Sequence, residues 1–251
     1  DLRVLVLEAD EDRAIIRVGG VLDSSVTANV EILTNVSNTN SIEHTQEMVL
    51  ARGRNEIEWH IAVENPDLWW PFSLGAQPLY ELKVTVNLNG VTSDSKSRRT
   101  GLRSFELKNW TASVNGEQIF LKGTNFGPCN IDLSSVSQDD YRRDLTLAKN
   151  AGLDLIRVHG HVAHPHFYEE ADKLGLLVFQ DFPLQWGYSR GIKNQAARQA
   201  TALVRQYGHH PSIVLWNSHN EPYHYDRSTR KQDNLQDSPT YGPLTSLTHQ
   251  I

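Results

Sequence analysis

The sequence predicts two domains in tandem, an antiparallel β-sandwich followed by a parallel strand–helix domain. Three observations predict it. Hydrophobic residues alternate with period two over the first hundred positions. Strand-like and helix-like segments then alternate from about residue 119. Polar side chains collect where the strands of the second half end.

In the first half, Val26, Ala28, Val30 and Ile32 interleave with Thr27, Asn29 and Glu31. Ile57, Trp59, Ile61 and Val63 interleave with Glu56, Glu58 and His60. Tyr80, Leu82, Val84, Val86 and Leu88 interleave with Glu81, Lys83, Thr85 and Asn87. Each pattern gives a strand with one buried and one wet face. Asn89-Gly90 is a hairpin turn signal, because both residues tolerate positive φ. Residues 1–104 thus read as a sandwich with no polar cluster able to do chemistry, and Trp69 and Trp70 as packing residues.

In the second half, QIFLKGTNF reads as a strand. Ser137 is a helix cap with Asp140 three residues on; Tyr141, Leu145 and Ala148 share a face, and Gly152 ends the helix. LDLIRVHGH is a nearly continuous apolar run, the pattern of a strand covered on both faces. Pro165 opens a second helix that ends near Gly175, and LLVFQDF is a third strand. Ile192, Ala196, Ala200, Val204 and Tyr207 space a third helix, and SIVLWNSHNE is a fourth strand ending on Asn220-Glu221. From Pro222 onward the chain reads as a long polar loop leading into a helix.

Composition narrows the function classes. The net charge of -6 argues against a nucleic-acid partner. No apolar run approaches the ~20 residues of a membrane span, and the acidic, strand-like start DLRVLVLEAD is no signal peptide. Cys129 is the sole cysteine, which rules out an intrachain disulfide or a thiolate metal cluster. Asn35-Val-Ser and Asn109-Trp-Thr match the glycosylation acceptor pattern. The compartment stays open.

Parallel α/β folds gather function at the C-terminal edges of their strands. Those edges carry Asn125, then Arg157, His159 and His161, then Asp181, then Asn217, His219, Asn220 and Glu221, with Trp186 and Trp216 nearby in sequence. Charged and amide groups pair with hydroxyls, and indole faces cover the apolar face of a sugar. The set suits a polyhydroxylated ring.

LKGTNFGP, IRVHG, FYEEADKLGLLVFQDF and HHPSIVLWNSHNEP, in this order and spacing, resemble the family 2 glycoside hydrolases, most of all the β-mannosidase and exo-β-glucosaminidase branch. PDLWWPFSLGAQPLYELKV followed by TGLRSFEL is similar to the end of that family's immunoglobulin-like domain. The resemblance implies an immunoglobulin-like sandwich over residues 1–104, then the first four β/α units of a (β/α)8 TIM barrel over residues 105–251. It implies a retaining mechanism on a β-linked glycoside, run by two carboxylates about 5 Å apart. Glu221 matches the general acid/base, and Asn220 the residue that contacts the sugar 2-hydroxyl. Arg157 and Asp181 match positions on the pocket floor. His159, Asn125, Trp186 and Trp216 are further substrate-contact candidates, and no cofactor or metal is called for.

The family's nucleophile is a glutamate on a later strand, near the seventh. The acids after Glu221 (Asp226, Asp233 and Asp237) are too near in sequence to occupy an opposite strand. The sequence is therefore expected to be an internal piece of a longer enzyme, inactive alone. A half-barrel exposes two strand edges, so the rest of the enzyme or self-association is expected to cover them.

Two other function classes compete. A carbohydrate-binding or scaffolding piece would keep the fold without the reaction. A metallohydrolase would use His159 and His161, two imidazoles on one side of an extended strand, with His164 and His166 close by. Relatives of this branch usually show Trp-Gly-Gly where this chain has His159-Gly160-His161, a departure that bears on sugar specificity.

Overall fold

A computed structural model describes residues 1–38, 41–186, 190–221, 224–226 and 231–233. The chain divides into two compact units, Asp1–Phe120 with Gly208–Pro211, and Leu121–Tyr207 with Ser212–Ile251.

The first unit is a seven-stranded sandwich of immunoglobulin-like type. Its strands are β1 (Leu2–Ala9), β2 (Arg13–Ser24), β3 (Ala28–Ser37), β4 (Ser41–Leu50), β5 (Gly53–Glu64), β6 (Tyr80–Leu88) and β7 (Val91–Thr100). Sheet orders are β1-β2-β5 and β4-β3-β6-β7, antiparallel throughout. One core joins the sheets: Val4, Ile16, Val18, Trp59 and Ile61 from one, Val30, Ile32, Leu82 and Val84 from the other. Val30, Ile32, Trp59, Ile61, Leu82 and Val84 are the inward members of the period-two patterns, so alternation fixes which face is buried. The Asn89-Gly90 turn adopts φ 51° and 77°, as its residues foretell. Trp69 is fully buried, its N–H donating to Leu102 O at 2.8 Å.

A three-stranded meander closes this unit: β8 (Phe105–Lys108), β9 (Thr111–Val114) and β10 (Glu117–Ile119). Here the structure corrects the sequence reading. QIFLKGTNF is not one strand, because its first residues pair with β9 and the parallel sheet starts only at β11 (Gly123–Phe126).

The second unit is the β/α half-barrel. Strands β11, β12 (Leu155–Val158), β13 (Leu177–Asp181) and β14 (Ile213–Asn217) form a parallel sheet in sequential order. The connecting helices are α1 (Gln138–Asn150), α2 (Pro165–Leu174) and α3 (Lys193–Tyr207). Ser137 and Asp140 form a reciprocal capping box on α1, and Pro165 sits in the first turn of α2. The helix α3 buries Ala196, Ala200, Leu203 and Tyr207, so Leu203 replaces Val204 in the expected stripe. Across the α1–α2 pair, Glu170 (2% exposed) accepts from Arg142, Lys173 and Gln138. Burial alone would raise this carboxyl, but the three donors outweigh it and bring it down to about 2.

Two further corrections concern the C-terminal stretch. The fourth strand ends at Asn217, so Asn220 and Glu221 lie on the loop beyond it. After Glu221, β15 (His224–Asp226) and β16 (Lys231–Asp233) pair antiparallel in place of an uninterrupted loop. Pro222, Asp237 and the expected final helix lie outside the described residues. Among the described residues no helix is long and apolar enough to cross a membrane.

Candidate active site

The pleat decides which predicted residues meet. Asn125 pairs in register with Arg157, Arg157 with Phe179, Phe179 with Leu215, and Asp181 with Asn217. Cross-strand partners share a face, so Asn125, Arg157, Asp181 and Asn217 stand on one side of the sheet. The Arg157 guanidinium carbon lies 5.5 Å from the Phe179 ring centroid on that side. Trp216 pairs with Gln180. The Gln180 side chain bonds the Tyr168 hydroxyl of α2, which marks the helix-facing side. This corrects the grouping of Trp216 with the site: alternation puts its indole on the opposite face.

Asp181 is fully buried and both its oxygens are occupied twice. Oδ1 accepts from Arg157 Nε at 3.0 Å and Asn217 Nδ2 at 2.9 Å. Oδ2 accepts from Arg157 Nη2 at 2.9 Å and Gly160 N at 3.0 Å. With every good acceptor direction filled by protein, this carboxylate fixes Arg157 and the β12 exit loop.

Arg157 passes the order on. Its Nη2 also donates to Asn220 Oδ1 at 2.7 Å, and Asn220 is 1% exposed. That bond sets the amide orientation, leaving Nδ2 as a buried donor with no partner among the described residues. The next residue, Glu221, is exposed and adopts φ 45°. Its Oε2 accepts from the Trp186 indole Nε1 at 3.2 Å.

The loops after β13 and β14 are laced together. Asn220 N donates to Leu184 O at 2.8 Å and Trp186 N to Asn220 O at 3.0 Å, the parallel bridge Gln185↔Asn220. His219 Nε2 lies 2.9 Å from Trp186 O, and since a carbonyl only accepts, this nitrogen carries the hydrogen. Burial lowers the basicity of His219, and the Trp186 carbonyl opposes this in part. Gln185 Nε2 donates to Gly160 O at 3.0 Å and ties the β12 loop to the β13 loop. Nothing in the sequence singles out Gln185, because its role depends on which loops become neighbours.

His159 follows β12, its N–H donating to Phe126 O at 3.0 Å. His161 Nδ1 lies 3.1 Å from His159 O. No group of three or more His, Cys, Asp or Glu side chains among the described residues is arranged to hold a metal ion. Asn125 is exposed opposite Arg157.

The site is thus an Asp181–Arg157–Asn220 relay, ending in an amide donor without a partner among the described residues, one position before an exposed carboxylate. Comparison with known proteins places the chain in a family. Residues 3–103 match the family model "Glycosyl hydrolases family 2", and residues 105–236 match "Glycosyl hydrolases family 2, TIM barrel domain". A β-mannosidase B from Aspergillus terreus is 30% identical over 240 residues, covering 88% of this chain and 28% of the relative. The crystal structure of a β-D-mannosidase from Dictyoglomus thermophilum superposes with TM-score 0.79 at 28% identity, covering 86% of this chain and 28% of that one. A family 2 member from Bacteroides cellulosilyticus shares the fold, with TM-score 0.84 at 20% identity over 99% of this chain and 34% of that one. The chain accordingly spans about a third or less of the length of these relatives. Its sandwich and its half-barrel both carry the family's sequence signature, and the chain belongs to glycosyl hydrolases family 2.

Proposed function

We propose that this chain supplies the acid/base half of a retaining β-glycosidase site, with Glu221 as the proton-carrying group. The observation that carries the reading is Asn220. Its carboxamide is buried, oriented through Oδ1 by Arg157, and keeps Nδ2 without a partner among the described residues, on the residue that precedes Glu221. A buried donor without a partner costs free energy unless a ligand acceptor completes it, and a sugar hydroxyl is such an acceptor.

In this reading Glu221, protonated, donates to the glycosidic oxygen as its bond to the anomeric carbon breaks. The ionised Glu221 then takes a proton from water in the second step. Asn220 Nδ2 binds a ring hydroxyl beside the reacting carbon, a bond that strengthens as positive charge develops there. Asp181 acts by positioning Arg157 and the β12 loop, since its own oxygens are already committed. The opposing carboxylate comes from a strand beyond these four, as the family resemblance implies. The names of the curated relatives make a β-mannoside the first substrate to test.

The test is leaving-group dependence in the protein that carries this chain. Glu221→Gln should cripple kcat/KM for alkyl or saccharide β-glycosides and lower kcat/KM for activated aryl glycosides much less, because that ratio reports formation of the glycosyl-enzyme, where a good leaving group needs little protonation. Equal loss on both classes sinks the assignment.

A further inference from the structure

Trp186 stands at the surface, 49% exposed, with φ 54° in the left-handed region that a bulky L-residue rarely adopts. Glu221 shares that backbone class. Two such residues persist side by side only where surrounding bonds over-determine them. The structure contains those bonds. Three consecutive residues each take one polar group of Trp186: His219 donates to its carbonyl, the Asn220 carbonyl accepts its N–H, and the Glu221 carboxylate accepts its indole N–H. The indole bond is the one that reaches the reacting group.

We infer that Trp186 is a positioning residue for the acid/base, and that its Nε1–H bond to one Glu221 oxygen dictates that the other oxygen carries the transferable proton. This rests on the glycosidase reading above and deepens it. The indole N–H stabilises negative charge on the oxygen that accepts it, which favours protonation of the other oxygen. From there the proton passes to the leaving oxygen, which keeps the electron pair of the broken glycosidic bond. Without the indole, Glu221 is a solvent-exposed side chain free to rotate, and its proton is presented in no fixed direction. The mechanism needs a fixed direction, because small misplacements of a reacting group carry large rate penalties.

The experiment has two readouts. In the full chain labelled with 15N-tryptophan, the Trp186 indole resonance is the one lost in Trp186→Phe. It should move with pH, and that movement should shrink or vanish in Glu221→Gln. His219 also titrates against Trp186 through the carbonyl, so the Glu221→Gln comparison separates the two sources. In the protein that carries this chain, Trp186→Phe keeps an aromatic ring at an exposed loop position and so leaves the core intact. It should lower kcat/KM for poorly activated β-glycosides on the order of tenfold, and that for activated aryl glycosides far less. An indole resonance that titrates identically in Glu221→Gln overturns the inference, as does equal loss on both substrate classes. If Glu221→Gln itself leaves poorly activated substrates untouched, the acid/base reading fails, while the indole titration still reports whether the bond exists.

Discussion

Replacing Asp181 by asparagine tests whether this carboxylate holds the site together. The substitution is nearly isosteric, so packing is preserved and only charge and acceptor count change. Each oxygen accepts two donors: Arg157 Nε and Asn217 Nδ2 on one, Arg157 Nη2 and Gly160 N on the other. Whichever way the amide is turned, its NH2 faces two N–H groups that had an acceptor. Arg157, with a side chain 26% exposed, also loses its counter-charge. Removing one partner of such a buried pair costs about 3–5 kcal/mol, a large part of the roughly 5–15 kcal/mol that keeps a domain folded. Urea unfolding read by tryptophan fluorescence should show a midpoint lowered by about 2 M, for a slope of about 2 kcal/mol per M. Asp139→Asn is the matched control. Its pair with Arg142 is 84% exposed on the acid side, so its loss should barely move the midpoint. Equal, small losses for the two variants would refute the claim that Asp181 orders the site.

Two other perturbations follow from the same geometry. Gly160 has φ 69°, and an added Cβ would collide with the Gln185 side-chain amide. Gly160→Ala should therefore cost roughly 2 kcal/mol in urea unfolding, from left-handed strain and a displaced hydrogen bond. Gly127→Ala, where a Cβ meets nothing within 4 Å, should be near neutral, and equal effects would contradict the contact. Glu170 gives a pH prediction. Its carboxyl is brought down from 4.5 to about 2, so its stabilisation is complete above 4.5 and lost as pH falls towards 2. The upper bound is about 3 kcal/mol, reduced by solvent screening because the Arg142 side chain is 51% exposed. Glu170→Gln should remove that portion of the acid-unfolding slope, and an unchanged slope would contradict the assignment.

The sandwich was legible where one face is wet and the other dry, as in β3, β5 and β6. β7 was not, because TSDSKSRR at a sheet edge is exposed along nearly its whole length and shows no alternation. The helices were legible from caps and breakers: Ser137, Pro165 and Gly175 each stand where their chemistry implies. Strand ends were harder. VLWNSHNE reads as one unit, yet the ladder stops at Asn217, since the following residues bond the β13 loop instead of β13 itself. The polar residues of the site were readable as a list. Their division into a relay and an exposed acid was not, because it depends on register: one step along β14 separates Asn217, bonded to Asp181, from Trp216 on the far face. Gln185 and the tying of Trp186 to residues 219–221 are contacts between loops, for which a linear pattern carries no signal.

Azide rescue tests whether Glu221 is the acid/base of a retaining site. In the Glu221→Ala variant of the protein that carries this chain, an activated aryl β-mannoside can still form the glycosyl-enzyme, but water is no longer activated to release it. Azide needs no general base, so it should accelerate turnover and yield the β-glycosyl azide, with configuration retained. No acceleration, or an α-configured azide product, would contradict the account.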